Sequence, residues 1–183
     1  MRKEDYLMDE LRNKETMLQR LSEAYKNIID MSLDTIISMD ESGQITLYNK
    51  AAERMFGHSQ HNAIGMSLTE LIPEEYRERH VMGLKRFIET GEHVLIGKTI
   101  EVEGLRKDGS RFPQELSLSA VKFEDRWVFT GIIRDITERK KAEETLRQRI
   151  GELEQFKKAA IHRELRIKEL KERLNKLEKA LHA

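Results

Sequence analysis

Thr99-Ile-Glu-Val-Glu-Gly-Leu-Arg-Lys-Asp-Gly-Ser-Arg-Phe-Pro-Gln-Glu-Leu-Ser-Leu-Ser-Ala120 is the stretch whose reading decides the fold. Thr99 to Leu105 alternates, with Ile100 and Val102 on one face and Glu101 and Glu103 on the other. Phe112 to Phe123 alternates again, with Leu116, Leu118 and Ala120 opposite Glu115, Ser117 and Ser119. A period of two is the mark of a strand with one buried face. Asp108-Gly109 between the runs predicts a two-residue hairpin turn. Glu124-Asp125-Arg126 turns the chain into a third strand over Trp127–Ile136, with Trp127 packing at its start.

Working back from this meander, Asp34-Thr-Ile-Ile-Ser-Met-Asp40 is a β-rich run turned by Glu41-Ser42-Gly43. Gln44-Ile-Thr-Leu-Tyr-Asn49 returns, which predicts a hairpin. Helical patterns follow at Ala51–Phe56, near Leu68–Leu71 and over Pro73–Thr90, the last begun by proline and closed by Gly91. The order β-β-α-α-α-β-β-β predicts an α+β domain: a five-stranded antiparallel sheet with helices on one face.

On either side of this domain the character changes. Residues 1–33 read as one helix, with Leu7, Leu11, Leu18, Leu21, Tyr25 and Ile28 in a single heptad phase interrupted by Lys14. Residues 137–183 read as a second, opened by a capping-box pattern at Asp135 and Glu138. Leu146, Leu153, Ala160, Ile167, Leu174 and Leu181 hold one seam position, and Ala142, Phe156, Leu170 and Leu177 the other. Such narrow apolar seams suit pairing with another helix, and a lone helix this polar is marginal in water. A second copy of the chain is the simplest partner. The domains are therefore read as 1–33, a coiled-coil helix; 34–136, the sheet domain; and 137–183, a second coiled-coil helix.

Composition narrows the function. Of the 183 residues, 36% are charged and 38% hydrophobic, too polar for one globule and in keeping with solvated helical ends. The 33 basic residues balance 33 acidic ones, which argues against nucleic-acid binding. The absence of cysteine removes disulfides, thiolate metal sites and thiol nucleophiles. No stretch approaches a membrane span or a signal peptide, so a cytoplasmic protein is expected. No carboxylate dyad, serine–histidine pair or phosphate loop suggests an enzyme. His58 and His61 lack acidic or cysteine partners at ligand spacing, so no metal site is expected. His162, in His162-Arg-Glu-Leu-Arg166, faintly matches a phospho-accepting box but reads as an exposed heptad position.

Four stretches carry a family resemblance: Asp34–Asp40, Asn49-Lys-Ala-Ala-Glu-Arg-Met-Phe-Gly57, Arg106-Lys-Asp-Gly-Ser-Arg-Phe-Pro-Gln-Glu-Leu-Ser117 and Thr130-Gly-Ile-Ile-Arg-Asp-Ile-Thr-Glu-Arg139. In this order the segment resembles PAS domains, sensory modules of bacterial and archaeal signalling proteins. The resemblance implies a ligand pocket between sheet and helices, with candidate walls Ile37, Met39, Leu84, Phe87, Ile88, Ile100, Leu116, Leu118, Phe129, Gly131 and Ile133. It equally allows that these residues simply fill a core. It implies output through Asp135, Ile136 and Thr137 into the following helix, and a partner such as a histidine kinase. His80, within Arg77-Glu-Arg-His80-Val-Met-Gly-Leu-Lys-Arg86, resembles the proximal haem ligand of oxygen-sensing PAS domains. Ile100 departs from that subclass, which has an arginine there. Non-covalent flavin is a further cofactor candidate, whereas a cysteinyl flavin adduct is excluded. Arg54, Arg86, Lys98 and Arg111 are candidate partners for a small anionic metabolite. The expected function is a sensor relaying a ligand signal through a parallel coiled-coil homodimer. The alternatives are a ligand-free dimerisation module and a haem-based gas or redox sensor.

Overall fold

The structure, a computed structural model, describes residues 3–92 and 95–181, with side chains for 8–92, 95–171 and 174. Its elements are α1 (Lys3–Met31), β1 (Thr35–Asp40), β2 (Ile45–Tyr48), α2 (Lys50–Phe56), α3 (Gln60–Ala63), a 3-10 turn (Leu68–Leu71), α4 (Glu74–Thr90), β3 (Thr99–Leu105), β4 (Arg111–Phe123), β5 (Arg126–Asp135) and α5 (Thr137–Leu181). The strands form one antiparallel sheet in the order β2-β1-β5-β4-β3. The contacts divide the chain into two units, residues 1–137 and 138–183.

Local chemistry sets the turns. At the β1–β2 corner the Asp40 carboxylate accepts from Ser42 N at 2.9 Å and Gln44 N at 3.0 Å, and Gly43 takes φ 80°. The β3–β4 turn holds three residues, Lys107–Gly109, rather than the expected two: Arg106 N donates to Ser110 O at 2.9 Å, closing the loop. Asp108 accepts from Ser110 N at 2.9 Å and Gly109 supplies φ 82°. This is the three-residue hairpin, a tight turn followed by a left-handed glycine. The β4–β5 turn places Glu124 at φ 55°, where an L-residue is strained.

Asn49 joins α1 to the sheet. Fully buried, it caps α2 by accepting from Ala52 N, accepts from Ile36 N, and donates to Ile29 O and Asp34 O, each at 3.0 Å. An amide can make two donations and accept at two lone pairs, so Asn49 is fully used. The residues around His61, which follow Gly57, include the short helix α3, started by the Ser59 hydroxyl. His61 is thus helical, and His58 precedes the cap.

The core lies between the sheet and the helices in two clusters. Ile37, Ile45, Tyr48, Ala52, Phe56, Phe112 and Ile133 belong to the first, with Leu116 against it. Met39, Phe87 and Phe129 form the second, with Leu84 and Trp127 against it. Leu68 touches both. In the second cluster Phe87 meets Trp127 and Phe129 edge-on, at centroid separations of 4.8 and 5.3 Å.

Candidate functional site

The eleven residues expected to wall one pocket are divided between these clusters. Ile37, Leu116 and Ile133 lie in the first, under α2 and α3; Met39 and Phe129 lie in the second, under α4, which itself supplies Leu84 and Phe87. Gly131 is buried beside Leu116, whose Cδ1 would sit 3.0 Å from an added Cβ. Ile100 and Leu118 are half-buried, with Ile100 paired to Leu116. Ile88 departs from the expectation: it is 37% exposed. One residue past Phe87 on a helix is a rotation of about 100°, which turns Ile88 from the sheet to the surface. There, with Leu84, it lines an outer cleft of about 240 Å3 beside Glu41 and Ser42. Trp127, read from sequence as strand packing only, is also part of the aromatic group facing α4.

His80 shares a helix face with Leu84 and Phe87, at spacings of four and seven. It is half-buried, and its Nδ1 has no hydrogen-bond partner. Burial holds the imidazole pKa below its ordinary value of 6.5, so the ring is neutral at pH 7, the form able to offer a lone pair. Arg86, on the same helix, is at the surface and pairs with Glu92 at 2.5 Å. Arg111 is held by Glu75 and lies 3.8 Å from Glu103.

At the root of α5 the three residues expected to relay a signal are held by contacts the sequence did not disclose. The Asp135 carboxylate accepts from Thr137 N at 2.8 Å, two residues on, and from Arg106 Nη2 at 2.5 Å. The buried Ile136 donates its N–H to Pro113 O at 3.1 Å. Arg106 reaches further: Nη1 donates to Met55 O at the end of α2, and its guanidinium lies 3.8 Å from the centre of the Phe112 ring. One arginine thus ties α2, the β3–β4 hairpin and the start of α5. Partial burial acts to raise the Asp135 pKa, but hydrogen bonding from Thr137 and the Arg106 charge outweigh it and hold the carboxyl below its usual range. A second clamp lies one strand away, where Arg134 Nε and Nη2 donate to Asp34 at 2.8 and 2.9 Å. The pairing fixes the end of β5 to the start of β1. Arg106 falls within a motif quoted above, but its partners lie 51 and 29 residues away, and no local pattern announces them.

The expected seam residues Leu11, Leu18, Leu21, Tyr25 and Ile28 on α1, and Leu146, Leu153, Phe156, Ile167, Leu170 and Leu174 on α5, are 44–75% exposed. The side chains of Leu177, Leu7 and Leu181 lie outside the described residues. His162 is exposed on α5. Among the described residues, no three His, Cys, Asp or Glu side chains gather as a metal site, and no helix is long and apolar enough to cross a membrane.

Taken together, a five-stranded antiparallel sheet covered by helices and clamped to the root of a long helix defines a single-sheet α+β module. The chain belongs to the PAS domain family, whose profile matches residues 33–138. It is 34% identical over 146 residues to the sensor protein FixL of Bradyrhizobium diazoefficiens, an alignment covering 80% of this chain and 29% of FixL. It is 25% identical over 122 residues to the oxygen sensor protein DosP of Escherichia coli, covering 67% of this chain and 15% of DosP. Among solved structures, the PAS domain of a protein from Colwellia psychrerythraea superposes with a TM-score of 0.53 at 27% identity, over 67% of this chain and 98% of that one. The chain therefore spans less than a third of the length of the curated sensors it matches.

Proposed function

We propose that this chain is a cytoplasmic signal-relay module that senses a small molecule in the core between the sheet and α4. Paired copies, joined as a parallel coiled-coil homodimer, pass the change to an output partner such as a histidine kinase. The module works by binding and conformation, with no catalytic step of its own. The observation that carries this reading is the root of α5. Strand β5 holds Phe129, Gly131 and Ile133 against the core and enters α5 through Ile136 alone, while Asp135 grips Arg106 and the first helical N–H. A ligand that favours one position of β5 must therefore favour one setting of the helix root.

The test is a thermal-shift screen of the purified chain with haemin, flavin mononucleotide and small dicarboxylates, joined to an absorbance spectrum and mass analysis. Binding to the folded state must raise the melting temperature. With no compound raising it, the reading gives way to a dimerisation module with a filled core.

His80 favours a second reading, a haem-based gas or redox sensor, and similarity to an oxygen sensor points the same way. A neutral, unpaired imidazole on the sheet-facing side of α4 suits an axial ligand, and the bound iron would supply gas binding. A Soret band that forms with haemin and is lost in His80→Ala is the expected result; no band in the native chain ends this reading.

A further inference from the structure

A cleft of about 500 Å3 opens on the outside of the domain, where the end of α2 meets the β3–β4 turn, lined by Arg54, Met55, Phe56, Arg106, Lys107 and Asp108. It borders the outer side of the first core cluster, to which Phe56 belongs and against which Met55 packs, and its size falls within the range of small-molecule sites. Three of its six side chains are cations and one is a carboxylate. That carboxylate is already engaged, accepting from Ser110 N at 2.9 Å and Ser110 Oγ at 2.6 Å. Arg54 and Lys107 make no salt bridge among the described residues. The carbonyls that would repel an anion at a helix end are covered, Met55 O by Arg106 and Phe56 O by Lys107 N at 2.8 Å. The positive field is felt nearby, where Lys107 adds to burial in holding the His58 pKa down. Met55 and Phe56 give the cleft an apolar wall.

We propose that this cleft is an effector site for a small organic anion, a carboxylate or phosphate on an apolar body, which competes with Asp135 for Arg106. Only 27% of the Arg106 side chain is exposed, and its planar guanidinium, now shared between Met55 O and Asp135, suits an oxyanion. An anion held by Arg54 and Lys107 draws Arg106 from Asp135. The carboxylate that caps Thr137 then loses its ion-pair partner, and the root of α5 loosens. The binding half stands without the relay reading; the loosening half rests on it.

The experiment is an amide NMR titration of the full chain with phenyl phosphate, inorganic phosphate, and sodium chloride at matched ionic strength. Phenyl phosphate is expected to give saturable shifts at Gly57, Lys107 and Asp108, together with movement of the Thr137 amide. Its affinity should fall roughly tenfold in the double variant Arg54→Gln, Lys107→Gln, whose two exposed side chains leave the melting temperature unchanged. Inorganic phosphate should bind more weakly, having no apolar body. Shifts that match sodium chloride, or an unchanged affinity in the double variant, overturn the site. Equal affinity for the two phosphates overturns the apolar wall. Saturable shifts with a still Thr137 overturn the competition for Arg106 while leaving the site.

Discussion

Asn49, His80 and Arg106 show what single side chains decide in this domain. Asn49 satisfies the carbonyls of Ile29 and Asp34 as well as the first turn of α2, so Asn49→Ala removes a cap and four hydrogen bonds together, leaving Ile29 O and Asp34 O only their Ser32 donors. The expected loss is about 2–4 kcal/mol in urea unfolding, with an unchanged m-value. A loss below about 1 kcal/mol would mean that water replaces the amide at that joint. For His80 the depressed pKa means that the unfolded chain takes up its proton first as the pH falls. Stability present above the ordinary value of 6.5 is therefore lost as the pH drops below it. Melting curves between about pH 7.5 and about pH 5 should show this fall in the native chain and a flatter profile in His80→Leu. His58, which burial and Lys107 shift in the same direction, contributes to the remaining slope. An equal slope in the variant would place the titration elsewhere.

Among the elements, the β3–β4 hairpin carries the most meaning. Its alternation was legible because strand period is a property of neighbouring residues, but the need for glycine at 104 was not. A Cβ at Gly104 would stand 2.7 Å from the Phe112 ring and from Gln114 Oε1, on the adjoining strand. Gly104→Ala should therefore push the ring that lies under Arg106 and cost about 1–3 kcal/mol, read from thermal unfolding. The opposite sign is expected at the β4–β5 turn. Glu124→Asn relieves a strained left-handed residue there and should stabilise by roughly 0.5–1 kcal/mol, visible as a higher melting temperature. At the helix root, Asp135→Ala removes both the Arg106 ion pair and the Thr137 cap. That variant should still fold and bind whatever the native chain binds, with the response of α5 lost. A response equal to that of the native chain takes Asp135 out of the mechanism.

On the scale of the whole molecule, two helices of 29 and 45 residues carry apolar seams whose described side chains are exposed. Exposed leucines in heptad phase suit a partner helix, and burying them is what makes so polar a helix stable. Sedimentation equilibrium at roughly 50 µM should report two copies, and Leu153→Lys with Leu170→Lys should shift the chain towards one. One copy in the native protein would leave the relay without a coil to act on.

Taken alone, the amino-acid sequence determined the strands, most turns, the long helices and their seams, because periodicity and turn chemistry act between residues a few positions apart. It also brought out the motifs that carry the family. Tertiary structure alone decided who meets whom. The order β2-β1-β5-β4-β3 brings Asp34 to Arg134, 100 residues on, and Arg106 to both Met55 and Asp135. It also divides the expected pocket between two clusters and turns Ile88 outward. Such contacts join residues whose sequence separation leaves no periodic trace, and only the closing of the sheet and the packing of helices upon it fix them.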